Sequence, residues 1–455
     1  MIETIRFDIQ GRTQVLALLD AGNFQKGELL RGDEGLAAYI RDKTQLLMNQ
    51  RVLDAVHIDY ATGRADDQGL IPVYLLVSVT DTWNIIVLPR PQYDDNTGFA
   101  LTLKGRDYNF LGTMNALRVD FGYERDTEGE NFLVFEIDSD TPFHAFGYAF
   151  NLNFDHAFSY TFDEPLYYKN TTGISMELPL YWTTFTVGFE EATVIHEEND
   201  DEYQADYGDR DDWYMSSELY GAWKIPTRLS VHTFGELTYT PKIAGKLLYL
   251  DENLEYFRKG PLLTLSHTLG FGRIDWIGNY RKGLEAAVDN AYEYNLSNRT
   301  WDRTLAVTAT AHWRVATFFG ISGRFWYRHW FDDTKNAGDA LRGMLDKSVH
   351  VPYIVSVNLD FPLRILRFTP SQWLDNRNLR LFNFEMHLTP FMDTALVPGP
   401  RVLLTGGLEC MVFPEFMRSL YLRVSLGWNL REALETGRLP DGANRELFIG
   451  IGHHY

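Results

Sequence analysis

Apolar and polar side chains alternate along most of this chain with a period of two, most cleanly near its C-terminus. From 419 to 429 the even positions are Leu420, Leu422, Val424, Leu426 and Trp428, and the odd ones Tyr421, Arg423, Ser425, Gly427 and Asn429. From 447 onward Leu447, Ile449, Ile451, His453 and Tyr455 share one face, and Phe448, Gly450, Gly452 and His454 the other. A period of two means a strand with two unlike environments. Large apolar residues on one face and small or polar ones on the other predict a membrane β-barrel, apolar toward lipid and polar toward a wet lumen.

The pattern starts after Trp83. Candidate strands lie near 84–92, 97–107, 113–123, 131–139, 145–154, 172–181, 183–196, 213–224, 228–240 and 261–278. They continue near 282–296, 303–314, 316–329, 352–362, 380–394, 401–412, 419–429 and 446–455. The barrel therefore has about 16 antiparallel strands, or 18 if no segment is a loop hairpin or half of a longer strand. In one of them Phe146, Tyr148, Phe150, Leu152 and Phe154 alternate with Ala145, Gly147, Ala149, Asn151 and Asn153. Residues 1–82 read differently. A strand at 2–8 is followed by a helix at 13–21 closed by Gly22, and by a second near 34–50 with Asp33 as N-cap. Strands Val52–Tyr60 and Leu70–Val79 complete a small α+β domain ahead of a barrel at 83–455.

Composition supports the barrel. Aromatics make up 15% of the 455 residues, which suits girdles at two membrane interfaces. Mean hydropathy is −0.25, and no apolar run approaches the roughly 18 residues of a spanning helix. A barrel has this profile because every second residue is polar. The net charge of −20 argues against a nucleic-acid partner. The single cysteine, Cys410, excludes an intrachain disulfide and falls in phase with Leu404 and Leu408 on a strand face. No nucleophile elbow, phosphate loop or zinc helix is present, so no enzyme, cofactor or metal is expected. His453 and His454 would face opposite sides of a strand and cannot share a metal. The acidic crowd from Glu197 to Asp212 reads as a solvated loop, and its spacing fits no calcium site. No signal peptide precedes the first strand, so the sequence reads as a mature or partial exported chain.

Pro89 and Pro91 stand two residues apart in the first barrel segment, so both strip donors from one strand edge. Either 89–91 is a linker and the barrel starts at Asn96, or the first strand pairs poorly where it must meet the last, 446–455. On the second reading the seam comprises Pro89, Pro91, Leu447, Ile449, Ile451 and Tyr455.

Three local motifs and the overall plan resemble the BamA/TamA superfamily, in which a POTRA domain precedes an outer-membrane barrel. Asp107-Tyr-Asn-Phe-Leu-Gly112 is similar to that family's D-x-N-x-x-G turn. Leu341-Arg342-Gly343-Met344 is similar to its V-R-G-F/Y loop motif, and Phe391-Met-Asp393-Thr-Ala395 to its F-x-D-x-G strand. Here Leu341 and Met344 replace Val and Phe/Tyr, and Ala395 replaces Gly. As a bare loop residue, Arg342 reads as a solvated charge. The resemblance instead implies an inward-folded loop whose Arg342 grips lumenal Asp393, with Gly343 turning the backbone and Phe391 beside it. It also implies an outer-membrane assembly factor, its N-terminal domain in the periplasm, that inserts client β-barrel proteins through a weak first–last seam. Implied partners are outer-membrane lipids, unfolded client proteins and accessory lipoproteins. The rival expectations are a polypeptide-translocating pore of two-partner secretion type and a passive porin.

Overall fold

The computed structural model describes residues 1–127, 129–160, 167–195, 213–230, 234–249, 260–399, 401–440 and 442–451. The acidic segment 197–212 and residues 452–455, with His453, His454 and Tyr455, lie outside them.

The N-terminal unit is β1 (Ile2–Gln10), α1 (Val15–Ala21), α2 (Gly32–Asn49), β2 (Leu53–Thr62) and β3 (Val73–Asp81). β3 is central, parallel to β1 and antiparallel to β2. Its alternate residues Val73, Leu75, Val77 and Val79 are all buried, and α2 lays Leu36, Tyr39, Lys43 and Leu47 on one stripe. Lys43 is tolerated there because its ammonium donates to the Asn23 carbonyl (2.6 Å) and lies over the Tyr39 ring. Asp33 is not the cap of α2. The N-cap position is Arg31, without a side-chain cap, and Asp33 sits in the first turn. Its charge there still favours the helix N-terminus.

Apart from a two-stranded ribbon of Lys335–Asn336 with His350–Val351, the remaining described strands close into one antiparallel barrel from Ile85–Asp94 to Arg445–Ile451, with eighteen strands rather than sixteen. Tyr353–Asp360 and Leu363–Phe368 count once, because both halves pair with Phe384–Val397 in continuous register across the Phe361–Pro362 break. Five strands follow the loop that carries Arg342. Phe146 and Gly147 form the turn between Asn131–Ala145 and Tyr148–Tyr160, so Phe146 is not on a strand face as the alternation suggests. Elsewhere the faces divide as expected. Leu101 and Leu103 point outward while Thr102 between them is buried. Leu422 and Val424 point outward while Arg423 and Ser425 are buried. Among the described residues no helix is long and apolar enough to cross a membrane. The fold is a membrane β-barrel that crosses with strands.

The N-terminal unit sits against one barrel mouth. Asn49 donates to Asp275 (2.8 Å), and Gln45 donates to the Trp276 carbonyl (2.9 Å). Arg51, buried, donates to the Arg418 carbonyl (2.5 Å) and stacks on Trp276. Every barrel residue in these contacts lies at or beside a turn on one side, which makes that side the near side.

Candidate functional site

Asp107–Gly112 is a joint between the two units. Asn109 is fully buried: its amide donates to Thr13 Oγ1 (2.7 Å) and Asp81 (3.2 Å), and its Oδ1 accepts from the Met114 N–H (2.8 Å). Asp107 accepts from the Asn109 N–H (3.0 Å) and pairs with Arg12. Gly112 has φ +78°, and a Cβ there would meet the Arg12 carbonyl. The backbone approaches so closely that only glycine fits. An Asn with three satisfied bonds and a Gly at the contact thus tie the strand turn to the N-terminal unit.

The loop between Gly320–Trp330 and Tyr353–Asp360 folds into the lumen. Ala337, Ala340, Leu341, Met344, Val349 and Val351 are buried against Trp326, Trp330, Ile354, Ala395, Val397 and Leu403. Leu341 and Met344 are thus packing residues, and Ala395, in place of glycine, belongs to the same cluster. At its tip Arg342 donates from Nε (2.9 Å) and Nη2 (2.7 Å) to the two oxygens of Asp393. Its backbone N–H donates to the same carboxylate at 3.0 Å. Nη2 is also 2.7 Å from Asp360, and the guanidinium lies 3.8 Å over the Phe391 ring. Arg342 and Asp393 are both buried. Burial alone would lower the guanidinium's pKa, but Asp360 and Asp393 more than reverse it, so the charge is held firmly. Asn358 donates to the Ala340 carbonyl (2.8 Å) and anchors the loop's approach.

The seam is built differently. On one side the first strand pairs with the second without interruption, from Ile85 opposite Asp107 to Asp94 opposite Gly98. On the other, among the described residues, Tyr93 with Ile449 and Asp94 with Phe448 are in register. The Asn84 carbonyl accepts from the Tyr108 N–H, and the Asp95 N–H donates to the Leu447 carbonyl (3.2 Å). Even residues of the first strand therefore bond to the second strand and odd ones face the last. Pro89 and Pro91 are odd, so their missing donors fall on the seam edge. The same register brings Pro91 opposite Ile451, where pairing among the described residues has stopped. Ile449 points outward, and the Leu447 N–H donates to the Asp95 carboxylate (2.8 Å).

Loop and seam are joined. The Gly343 N–H donates to Glu446 on the last strand (2.7 Å). Asn96, in the first hairpin, donates to the other Glu446 oxygen (3.4 Å) and accepts from the Asp346 N–H (2.7 Å). Gly343 (φ +93°) lies against the backbone of Gly427 and Trp428, where a Cβ would be 2.5 Å from the Trp428 nitrogen. The tip thus spans both sides of the seam. Arg423 lies 3.5 Å from Glu409 and over the Phe448 ring, carrying the polar network under the last strand. Sequence reasoning missed Asp360, Glu446 and Asn96. Asp360 stands in lumenal phase with Ser356 and Asn358, but nothing local names its partner.

No family model matches the chain, and no curated protein sequence does. Among solved structures it is similar to CdiB from Escherichia coli, with TM-score 0.52 and 10% identity over 99% of this chain and 76% of that one. It is also similar to CdiB from Acinetobacter baumannii, with TM-score 0.47 and 16% identity over 99% and 73% of the two chains. BamA from Haemophilus ducreyi, in a form lacking POTRA domains 1–3, has TM-score 0.38 and 12% identity over 99% and 84%. At such identities what is shared with Escherichia coli CdiB is the fold.

Proposed function

We propose that this chain is a bacterial outer-membrane barrel that inserts client barrel proteins through the joint between its first and last strands. Its N-terminal unit is read as a POTRA-like domain in the periplasm. The seam carries the reading. An edge that lacks donors at two prolines opens at low cost, and an exposed sheet edge templates an added strand. Each missing bond is worth about 1 kcal/mol net in water and more in lipid, where no water substitutes. The Gly343–Glu446–Asn96 link would let the lumenal loop govern that opening. The work comes from strand pairing and burial of the client, and the expected partners are membrane lipid, unfolded outer-membrane proteins and accessory lipoproteins. A second reading, a polypeptide-translocating pore of two-partner secretion type, is favoured by the fold shared with Escherichia coli CdiB. A passive porin needs neither a docked domain nor a gripped loop.

One experiment separates the two. Cysteines replace Tyr93 and Ile449 in a Cys410→Ala background. These residues are opposed and their Cα atoms should stand about 5.5 Å apart, within a disulfide's span. The oxidised barrel should keep its heat-modifiable migration and lose insertion of client barrels into liposomes. Full insertion activity with the seam closed overturns the seam mechanism, and polypeptide export through a closed seam establishes the translocation reading.

A further inference from the structure

The near-side turn 369–383 is longer than its neighbours at 278–279, 315–319 and 415–421, and it is tightly built. Pro370–Trp373 forms one helical turn and Arg377–Phe382 a 3-10 turn. Buried Asn383 donates to Ser371 Oγ (2.6 Å) and Glu415 (2.8 Å) and accepts from the Ser371 N–H (3.2 Å). Yet the turn presents Trp373, Leu374, Leu381 and Phe382 at 62%, 69%, 62% and 62% exposure. A pinned turn that keeps four large apolar side chains outward is organised to be covered.

Its position identifies the cover. Phe384 is in phase with Met392 and Leu396, which face outward from the barrel, and Phe368 lies opposite it. Phe368 packs on Phe384 (5.3 Å), and Trp373 packs edge-on against Phe368 (5.1 Å). The Trp373 end of the turn therefore folds onto the lipid-facing wall. Exposed Ile365 and Leu366 continue the same surface. So do Val315 and Phe318 of the next turn, joined through the Arg364 N–H to the Phe318 carbonyl (2.8 Å). We propose that this patch is an interfacial anchor, seated at the headgroup–acyl boundary of the near-side leaflet with phospholipid as its occupant. Tryptophan beside leucine and phenylalanine at the end of a lipid-facing strand is the composition that boundary favours. The anchor also reaches the N-terminal unit, since Arg380 of the turn pairs with Asp54 of β2 (2.7 Å). Lipid seating of the turn thereby sets the height of that unit at the barrel mouth. This holds whether the barrel inserts or translocates polypeptide.

The test uses the full chain with Cys410→Ala in nanodiscs of phosphatidylethanolamine and phosphatidylglycerol. A single cysteine replaces Leu374 or, as a second site, Leu381, and carries an environment-sensitive fluorophore. The control label replaces Asp67, in the exposed 63–72 loop of the N-terminal unit. Labels in the turn should be quenched at least threefold less by iodide than the control, and at least threefold more by lipids bearing a shallow nitroxide. The Arg380→Ala variant should keep that protection while the N-terminal unit becomes more accessible to protease. Iodide quenching equal to the control at both sites overturns the anchor. Protection that emerges only when periplasmic proteins are added overturns it in favour of a protein partner.

Discussion

The lumenal loop and the first–last seam both join parts of the barrel distant in sequence, and they are made of opposite materials. At the loop tip one guanidinium meets two buried carboxylates and an aromatic face, and the backbone N–H of the same residue donates to one of those carboxylates. At the seam the described strands share two residue pairs, beside two prolines that cannot donate. Charge-assisted, bidentate bonds in a dry setting hold one geometry. A short backbone ladder beside missing donors is where local opening costs least. The contrast teaches that the barrel is gripped by several bonds at one point and, among the described residues, by few a short distance away, with Glu446 bonded to the loop and to the first hairpin.

The largest effect is expected from removing one partner of the buried pair. Asp393→Ala deprives buried Arg342 of its bidentate carboxylate, and breaking such a pair costs roughly 3–5 kcal/mol. Denaturant unfolding in detergent should show this loss, and limited proteolysis should find the loop at 331–352 newly accessible. Arg342→Ala should also destabilise, and the double variant should cost less than the sum of the two. Strict additivity would mean that the contact carries no coupling.

Restoring the seam's donors should move the other side of the comparison. Pro89→Ala with Pro91→Ala returns two N–H groups to the edge facing the last strand. Each restored bond is worth about 1 kcal/mol, or about a fivefold fall in local opening. Amide exchange at Tyr93 and Ile449 should slow accordingly, and client insertion should slow with it. Unchanged exchange would remove the prolines as the cause of the weak joint.

Glu446→Ala tests whether the two regions are coupled. Losing a carboxylate that accepts from Gly343 and Asn96 should cost about 1.5–3 kcal/mol. Spin labels in the loop and exchange at the seam should both report more motion in the same variant. Motion in only one of them would separate lock from seam.

The smallest effect is one of pH. Burial, with Asp339 and Asp94 nearby, pushes the Asp346 carboxyl up to about 6. Its unfolded value is about 3.9. An acid whose folded value is raised contributes stability that is fully present below about pH 4 and is lost as pH rises through about 6. Loop mobility should therefore increase between about pH 4 and 6, and Asp346→Asn should flatten that dependence.

Much of the architecture was legible in the chain because strand faces are a local property. A side chain at i+2 shares the face of residue i whatever the rest of the fold does, so Arg423 and Asp393 could be assigned to the lumen from their neighbours alone. The two prolines announced a donor-poor edge for the same reason. Local rules failed where backbone geometry overrode the pattern. Phe146 keeps the phase of Tyr148 but lies in a left-handed turn, and the strand ending at Phe368 continues through a break that Pro362 disguises. Asp33 has a cap's chemistry, yet the helix begins one residue before it. What tertiary structure alone decided is which groups distant in sequence meet. Arg342 with Asp360, Gly343 with Glu446, and Asn109 with Thr13 and Asp81 depend on strand tilt, closure register and the seating of the N-terminal unit. Those quantities are set by the whole closed sheet, since the stagger of every strand is summed before the last meets the first. No window of the sequence contains that sum.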